Sequence, residues 1–309
     1  MNMKSPYNLV TILGPTASSK TGLAAALAYK IDSDVISADS RQVYRGMDLG
    51  TGKDYEDYIV NGKQIKYHLI DIVDAGYKYN VFEYQRDFLK VFDSIRGEDK
   101  IPVLCGGTGM YIDAVLKGYK LIRVPVNPVL RKELETKSMS ELQQVLNTYK
   151  KLHNTTDVDT KKRAIRAIEI EAYYVENNVD DSFEYPDIKS LLVGIKFDRE
   201  SRRKRISERL QRRLESGMIE EVQSLINGGV EPEDLIYYGL EYKYITLHLI
   251  GELSYNEMFK KLEVAIHQFA KRQMTWFRGM ERKGYSIHWL DGYMSLDEKL
   301  ESVKKLLFQ

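Results

Sequence analysis

Residues 10–24, "VTILGPTASSKTGLA", read as a buried strand, a tight turn and the opening of a helix. Within them Gly14, Pro15, Thr16, Ala17, Ser18, Ser19, Lys20 and Thr21 nearly spell the phosphate-binding pattern G-x-x-x-x-G-K-[ST], with Ser19 in place of the second glycine. A strand ending at Gly14 and a helix starting at Lys20 would aim several backbone N–H groups at one anion, with the helix dipole behind them. Lys20 adds a positive charge for terminal phosphate oxygens, and Thr21 offers a hydroxyl to a magnesium ion. A serine is small enough for position 19 as long as its φ stays negative.

Outward from this unit the alternation continues. Short apolar runs ("DVISAD", "YHLIDIV", "IPVLCGG") are separated by helical stretches ("TGLAAALAYKI", "NVFEYQRDFLKVFDSIRGED"). Continuous apolar runs that end in Asp or Gly suit central strands of a parallel sheet covered on both faces. The class is therefore α/β, with ligands expected beyond the C-terminal ends of the strands. The pattern breaks at "GYKLIRVPVNPVLRKEL", and "SMSELQQVLNTYKKLHNTTDVDT" is polar and helical. We read a first part of the core at 1–117, an inserted helical module or lid at 118–190, and the rest of the core with C-terminal helices at 191–309. "LLVGIKF" is the returning strand, followed by amphipathic helices to about residue 283.

Composition narrows the class. At 309 residues, 43% hydrophobic and 29% charged, the chain is neither disordered nor fibrous. No leader-like or membrane-length apolar run is present, and Cys105 is the only cysteine, which excludes a disulfide framework and a cysteine-based zinc site. A cytoplasmic protein with no membrane partner is expected. Net charge is only +1, but cations are concentrated at Arg199–Arg213 and around Lys271–Lys283. Such runs are either solvated helix faces or contacts for an anionic partner.

Three further stretches carry chemistry. Asp39 ends the strand "DVISAD", facing the loop, where a carboxylate can hold magnesium or act as a base toward a nucleophile. Ser40, Arg41, Gln42, Tyr44 and Arg45 follow on an expected exposed loop, suited to stacking on unpaired bases or forming an ordinary surface turn. Gly106-Gly107-Thr108-Gly109 is a second phosphate-friendly turn at the same sheet edge, with Thr108 as a hydroxyl donor. In "SRRKRISERLQRRLE", Ile206, Leu210 and Leu214 face the core, while Arg202, Arg205, Arg209 and Arg212 share a neighbouring face. One of these arginines can reach inward to a pyrophosphate and the others can meet a nucleic-acid backbone.

In combination and order, "GPTASSKT", "DSRQVYRGMDLGT", "HLIDIVD", "VLCGGTGMY", "KRAIRAIEI", "RISERLQRRLESGMIEEV", "GELSYNEM" and "AKRQMTWFRG" resemble the tRNA dimethylallyltransferases (tRNA isopentenyltransferases) of bacterial type, including their divergent paralogues. The resemblance spans residues 7–290. It implies a P-loop NTPase-like core with an inserted tRNA-binding module. It also implies transfer of a dimethylallyl group from dimethylallyl diphosphate to the exocyclic amine of the adenosine 3′ of the anticodon. Carried over by position, Gly14, Thr16, Ala17, Ser18, Ser19, Lys20 and Thr21 would hold the diphosphate, with Thr21 at Mg2+. Thr108 and Arg205 would neutralise the leaving group and Asp39 would be the base. Ser40, Arg41, Gln42, Tyr44 and Arg45 would line the channel for the base; Lys162, Arg163, Arg166, Lys271, Arg272, Gln273 and Arg278 would meet tRNA. The expected partners are the tRNA anticodon stem-loop and dimethylallyl diphosphate, acting on a monomer. Departures from the family pattern are Ser19, Glu241 in "GLEYKY" where a glycine would align, and His267 where an arginine is usual. The alternatives are an isopentenyltransferase acting on free adenine nucleotides, a P-loop kinase or ATPase that binds ATP, and a catalytically silent tRNA-binding protein.

Overall fold

The computed structural model describes residues 5–119, 121–149, 158–177 and 185–309. In chain order the elements are β1 (Leu9–Leu13), α1 (Lys20–Lys30), β2 (Val35–Ser37), β3 (Ile59–Val60), β4 (Lys63–Gln64), β5 (Tyr67–His68), α2 (Val81–Gly97), β6 (Val103–Gly106), α3 (Gly109–Lys117), α4 (Pro128–Leu134), α5 (Met139–Tyr149), α6 (Lys161–Glu176), β7 (Ser190–Lys196), α7 (Arg199–Glu215), α8 (Met218–Asn227), α9 (Pro232–Tyr237), α10 (Leu240–Leu249), α11 (Tyr255–Arg282), β8 (Ile287–Asp291) and α12 (Leu296–Leu307).

Six strands form one sheet in the order β5-β2-β6-β1-β7-β8, every pairing parallel. Alternation along the strands sorts side chains to the two faces. Val10, Ile12, Val35, Val103, Val193 and Ile195 pack under α1 and α12; Leu9, Leu13, Ile36, Leu104 and Leu192 pack under α2, α3, α7 and α11. With both faces covered, nearly every residue of β1, β6 and β7 is buried, which is why these strands read as unbroken apolar runs. This is a P-loop NTPase-like α/β architecture. Because the strands are parallel, β1, β2 and β6 end at one edge and deliver Gly14–Thr21, Asp39 and Gly107–Gly109 there.

Four sequence expectations change. "YHLIDIV" yields only Tyr67–His68 as sheet, because Leu69 and Asp71 turn to φ 61° and 56° and carry the chain off the edge. The strand β8 and the hairpin β3–β4, closed by Asn61-Gly62, were not expected. The expected boundaries at 117/118 and 190/191 shift: one compact unit is Met1–Gly118 with Asp187–Gln309 and the other is Tyr119–Pro186. Gly118 ends α3 in a left-handed cap at φ 59°, and β7 is already tied to the N-terminal strand at Lys189, whose carbonyl accepts from Asn8 and Leu9. Part of the polar stretch read at 138–160 falls at 150–157, outside the described residues.

The second unit has its own small core of Leu134, Leu142, Leu146, Ala164, Ile165 and Ile168. Its buried Glu169 accepts from Arg131 at 2.8 Å and from Arg166, and Arg166 also donates to the Val124 carbonyl at 2.9 Å. Arg166 thus braces its own unit, with its side chain still 38% exposed. Lys162 is exposed, and Arg163 is half-exposed in an ion pair with Asp159 at 3.0 Å.

Candidate active site

The edge of β1, β2 and β6 opens into a cleft of about 1120 Å³. That is larger than the roughly 300–1,000 Å³ of a typical small-molecule site, so there is room for more than one substrate group. Its floor is the first turn. α1 starts at Ser19 without a side-chain cap, whereas α2, α7, α11 and α12 are each capped by Asn, Asp or Ser. The first N–H groups of α1 therefore lack side-chain partners and remain suited to an anion.

Ser19 takes φ 59° and ψ 32°, and Ala17 takes φ 61°. The expectation of a negative φ at Ser19 is overturned: the turn keeps the left-handed geometry that glycine would adopt freely, and a serine supplies it at a conformational cost. The Ser19 hydroxyl is also used. Arg205 donates through Nη2 to Ser19 Oγ at 2.8 Å and through Nε to the Ala17 carbonyl at 3.0 Å, while its guanidinium lies 4.5 Å from the Phe197 ring centre. Ser18 Oγ is buried without a hydrogen-bond partner.

More than one arginine of α7 reaches inward. Arg209 lies 3.4 Å from Thr16 Oγ1, and Arg209 and Arg213 both pair with Asp54 at 3.1 Å. Burial, and then the charge of Arg213, pulls the Arg209 guanidinium down to about 10, still protonated at neutral pH. Burial lowers Lys20 from its ordinary value; Cys105 and Asp39 oppose this. Because burial pushes the Cys105 thiol up to about 12, it is neutral at pH 7, so the effective counter-charge of Lys20 is Asp39. Burial raises the Glu241 carboxyl, with its own backbone N–H, Arg213 and Arg209 opposing.

Asp39 follows β2, and its Oδ1 accepts the Arg41 N–H at 2.9 Å, fixing the carboxylate in an Asx turn. The Ser40 N–H donates to Thr108 Oγ1 at 3.0 Å, which ties this segment to the second turn. Thr108 opens α3 without capping it. Asp39, Ser40, Arg41, Gln42, Thr108, Arg205 and Arg272 all line the cleft together with Lys20 and Thr21.

Several of the expected contact residues are engaged in the protein's own framework. Tyr44 is 1% exposed, its ring 4.4 Å from that of Tyr238, so it is core and offers no stacking face. Gln42 accepts from Ser37 Oγ and donates to the Gly52 carbonyl, spanning the base of its own loop. Arg45 is half-exposed and pairs with Asp74. Gln273 is buried and joins Thr16 to Gly107, so it presents no outer surface. Lys271 and Arg278 are exposed on α11.

Two anchors of the loop after β2 went unread in the sequence. The Glu221 carboxylate accepts the N–H groups of Asp48, Leu49 and Gly50 and the Tyr242 hydroxyl; Lys53, its side chain fully buried, reaches Asp48, Asp71 and the Tyr44 carbonyl. Glu221 has no local signal, since it meets the loop across more than 170 positions of sequence, and Lys53 reads as an ordinary surface lysine although its partners lie within 18 residues of it.

Residues 42–280 match the family model described as IPP transferase. The chain is 64% identical over 301 residues to tRNA dimethylallyltransferase 2 of Phocaeicola vulgatus, covering 97% of this chain and 98% of that protein. The chain belongs to the tRNA dimethylallyltransferase family. A tRNA dimethylallyltransferase 2 of Bacteroides fragilis is 61% identical over 301 residues, 97% of this chain and 98% of its own. Among solved structures, the family's tRNA isopentenylpyrophosphate transferase from Staphylococcus epidermidis superposes with a TM-score of 0.68 at 31% identity, over 96% of this chain and 97% of that one.

Proposed function

We propose that this chain transfers the dimethylallyl group of dimethylallyl diphosphate to the exocyclic amine of the adenosine 3′-adjacent to the anticodon in tRNA. Its near relatives carry the name of that activity. The observation that carries the reading is the meeting, in one cleft, of an uncapped cationic turn with a fixed carboxylate, Asp39.

In this reading the backbone of Ala17–Thr21, Lys20 and Arg205 bind the diphosphate. Thr108 accepts from the Ser40 N–H, and its own O–H, which makes a long 3.4 Å bond to Ser40 Oγ, is the donor we assign to a leaving-group oxygen once the diphosphate is bound. As the allylic C–O bond lengthens, negative charge grows on the diphosphate, and donors already aimed there lower the barrier by about 3–4 kcal/mol each. Asp39 accepts the amine proton as nitrogen bonds to carbon; the products are the prenylated base and free pyrophosphate.

The donor set fits Mg2+. Among the described residues no cluster of three or more His, Cys, Asp or Glu could cage a metal. A magnesium ion would be held by Thr21, diphosphate oxygens and water, the usual arrangement for that ion with a phosphate substrate. When bound it would supply neutralisation of the leaving group. We assign Ser40, Arg41 and Arg272 to the RNA side of the cleft, and Lys162, Arg163, Lys271 and Arg278 to the tRNA backbone. We take the active form to be a monomer acting in the cytoplasm, where its tRNA substrate is met.

The test is to incubate the protein with dimethylallyl diphosphate, Mg2+ and an anticodon stem-loop and to weigh the RNA, with AMP and ATP as parallel acceptors. Gain of one prenyl group on the stem-loop alone is expected. Prenylated AMP would favour the free-nucleotide reading; phosphate release from ATP without prenylation would favour a kinase or ATPase.

A further inference from the structure

We propose that Gln273 is a positioning residue: its buried carboxamide clasps the turn after β1 to the turn after β6 and fixes the separation of the two surfaces that grip the diphosphate. The inference rests on the diphosphate reading above and adds a residue to it.

The geometry is specific. Gln273 Oε1 accepts the Thr16 N–H at 2.9 Å, and Gln273 Nε2 donates to the Gly107 carbonyl at 2.9 Å. The side chain comes from α11, is 7% exposed, and meets Thr16 across 257 positions of sequence. An amide is the side-chain group of this length that offers one acceptor and one donor without a charge, so both ends of the clasp are satisfied in a buried site. Gly107 is shaped to receive it: a Cβ there would stand 2.4 Å from Gln273 Nε2 and 3.2 Å from the Gly14 carbonyl. β1 and β6 are paired through Leu13 and Gly106, but beyond those residues the ladder ends. Among the described residues, Gln273 is the side chain whose hydrogen bonds reach both turns. The Thr16 N–H is consumed in the clasp, which leaves anion binding to the N–H groups that follow it.

Two variants and three readouts test this. Gln273→Met keeps the length and volume but can do neither job. Gln273→Glu keeps the acceptor for Thr16 and, when ionised, opposes the Gly107 carbonyl. Circular dichroism and thermal unfolding report whether each variant is folded. Hydrogen exchange at the Thr16 amide reports the clasp itself, and calorimetric titration with inorganic pyrophosphate and Mg2+ reports the anion site.

In the parent, the Thr16 amide is protected and pyrophosphate binds. In both variants, folded, pyrophosphate binding weakens at least tenfold; Thr16 loses protection in Gln273→Met, while in Gln273→Glu the Thr16 bond is kept and only the Gly107 end of the clasp is lost. KM for dimethylallyl diphosphate rises in parallel, and anticodon stem-loop affinity stays within twofold. Weakened stem-loop binding with pyrophosphate binding unchanged would overturn the proposal and return Gln273 to the RNA side. Loss of Thr16 protection with pyrophosphate affinity intact would overturn it too, leaving a bond with no positioning effect. A parent that binds no pyrophosphate would instead sink the diphosphate reading, and the proposal with it. If neither variant folds, the Thr16 amide and pyrophosphate measurements are made on Gln273→Asn, one methylene too short to span both partners, with the same outcomes deciding.

Discussion

The turn after β1 and the turn after β6 look alike in composition, both small-residue stretches between a strand and a helix, yet beyond Gly14, where a Cβ would stand 2.7 Å from Ser18 Oγ, they are built on different physical requirements. In the first, the backbone must enter the left-handed region at residues 17 and 19, and an alanine and a serine do this. In the second, Gly106, Gly107 and Gly109 have ordinary negative or extended φ, and their glycines are needed for space. A Cβ on Gly106 would lie 2.3 Å from the Ala38 carbonyl oxygen, one on Gly107 would strike Gln273, and one on Gly109 would strike Trp276. A run of small residues therefore does not say whether the chain needs conformational freedom or room.

The largest effect is expected between the two turns, at Asp39, whose segment is held to the second turn by Ser40 and faces Lys20 of the first. Asp39→Ala should lower prenyl transfer by about a hundred- to ten-thousandfold, with stem-loop affinity changed little. Turnover and a filter-binding affinity measured together check this; unchanged turnover would remove Asp39 from the chemistry.

Next comes Gly106→Ala. The atom it would meet is backbone of the neighbouring strand end, which cannot rotate away, so β2 and β6 must separate at the cleft. We expect destabilisation at the upper end of the ~1–3 kcal/mol typical of overpacking, read as a lower denaturation midpoint, together with loss of activity. Gly109→Ala should be milder. The obstructing group is the Trp276 side chain, which is 38% exposed and able to swing outward. About 1 kcal/mol or less is expected, with a change in Trp276 fluorescence. Equal penalties at 106 and 109 would mean that rigidity of the neighbouring atom does not decide the cost.

What the sequence revealed follows the range of the interactions. The strand–turn–helix of residues 10–24, the parallel sheet and the Ile206, Leu210, Leu214 stripe of α7 are local patterns, and all three residues of that stripe are buried. The position of Asp39 at a strand end followed from the same local reading. Tyr44 and Gln273 have the chemistry of surface residues and became interior because Tyr238, Thr16 and Gly107 reach them from distant segments. The strand β8 was hidden because "SIHWLD" is short and mixes polar residues into an edge position beside β7. The Asn61-Gly62 hairpin carried a recognisable signal, a favoured type of dipeptide for a tight reversal, and both residues do take positive φ, 50° and 76°.

The smallest effect is at Ser19, where two terms oppose each other. Replacing a non-glycine residue in the left-handed region by glycine relieves about 1 kcal/mol of backbone strain, part of which returns as the greater entropy of the unfolded chain. The same change removes the hydroxyl that accepts from Arg205 at 2.8 Å, one of the two bonds holding that guanidinium to the turn. The pair is partly exposed, so its worth is about 0.5–1 kcal/mol. Ser19→Gly should therefore shift the melting temperature by less than about 4 °C. KM for dimethylallyl diphosphate should rise by about two- to fivefold, because Arg205 is less firmly aimed. This revises the view of the serine as a tolerated substitute for glycine: its strain and its hydroxyl act on different quantities, and thermal and kinetic measurements separate them. A variant with a clearly higher melting temperature and an unchanged KM would show that Arg205 is positioned by the Ala17 carbonyl and the Phe197 ring alone.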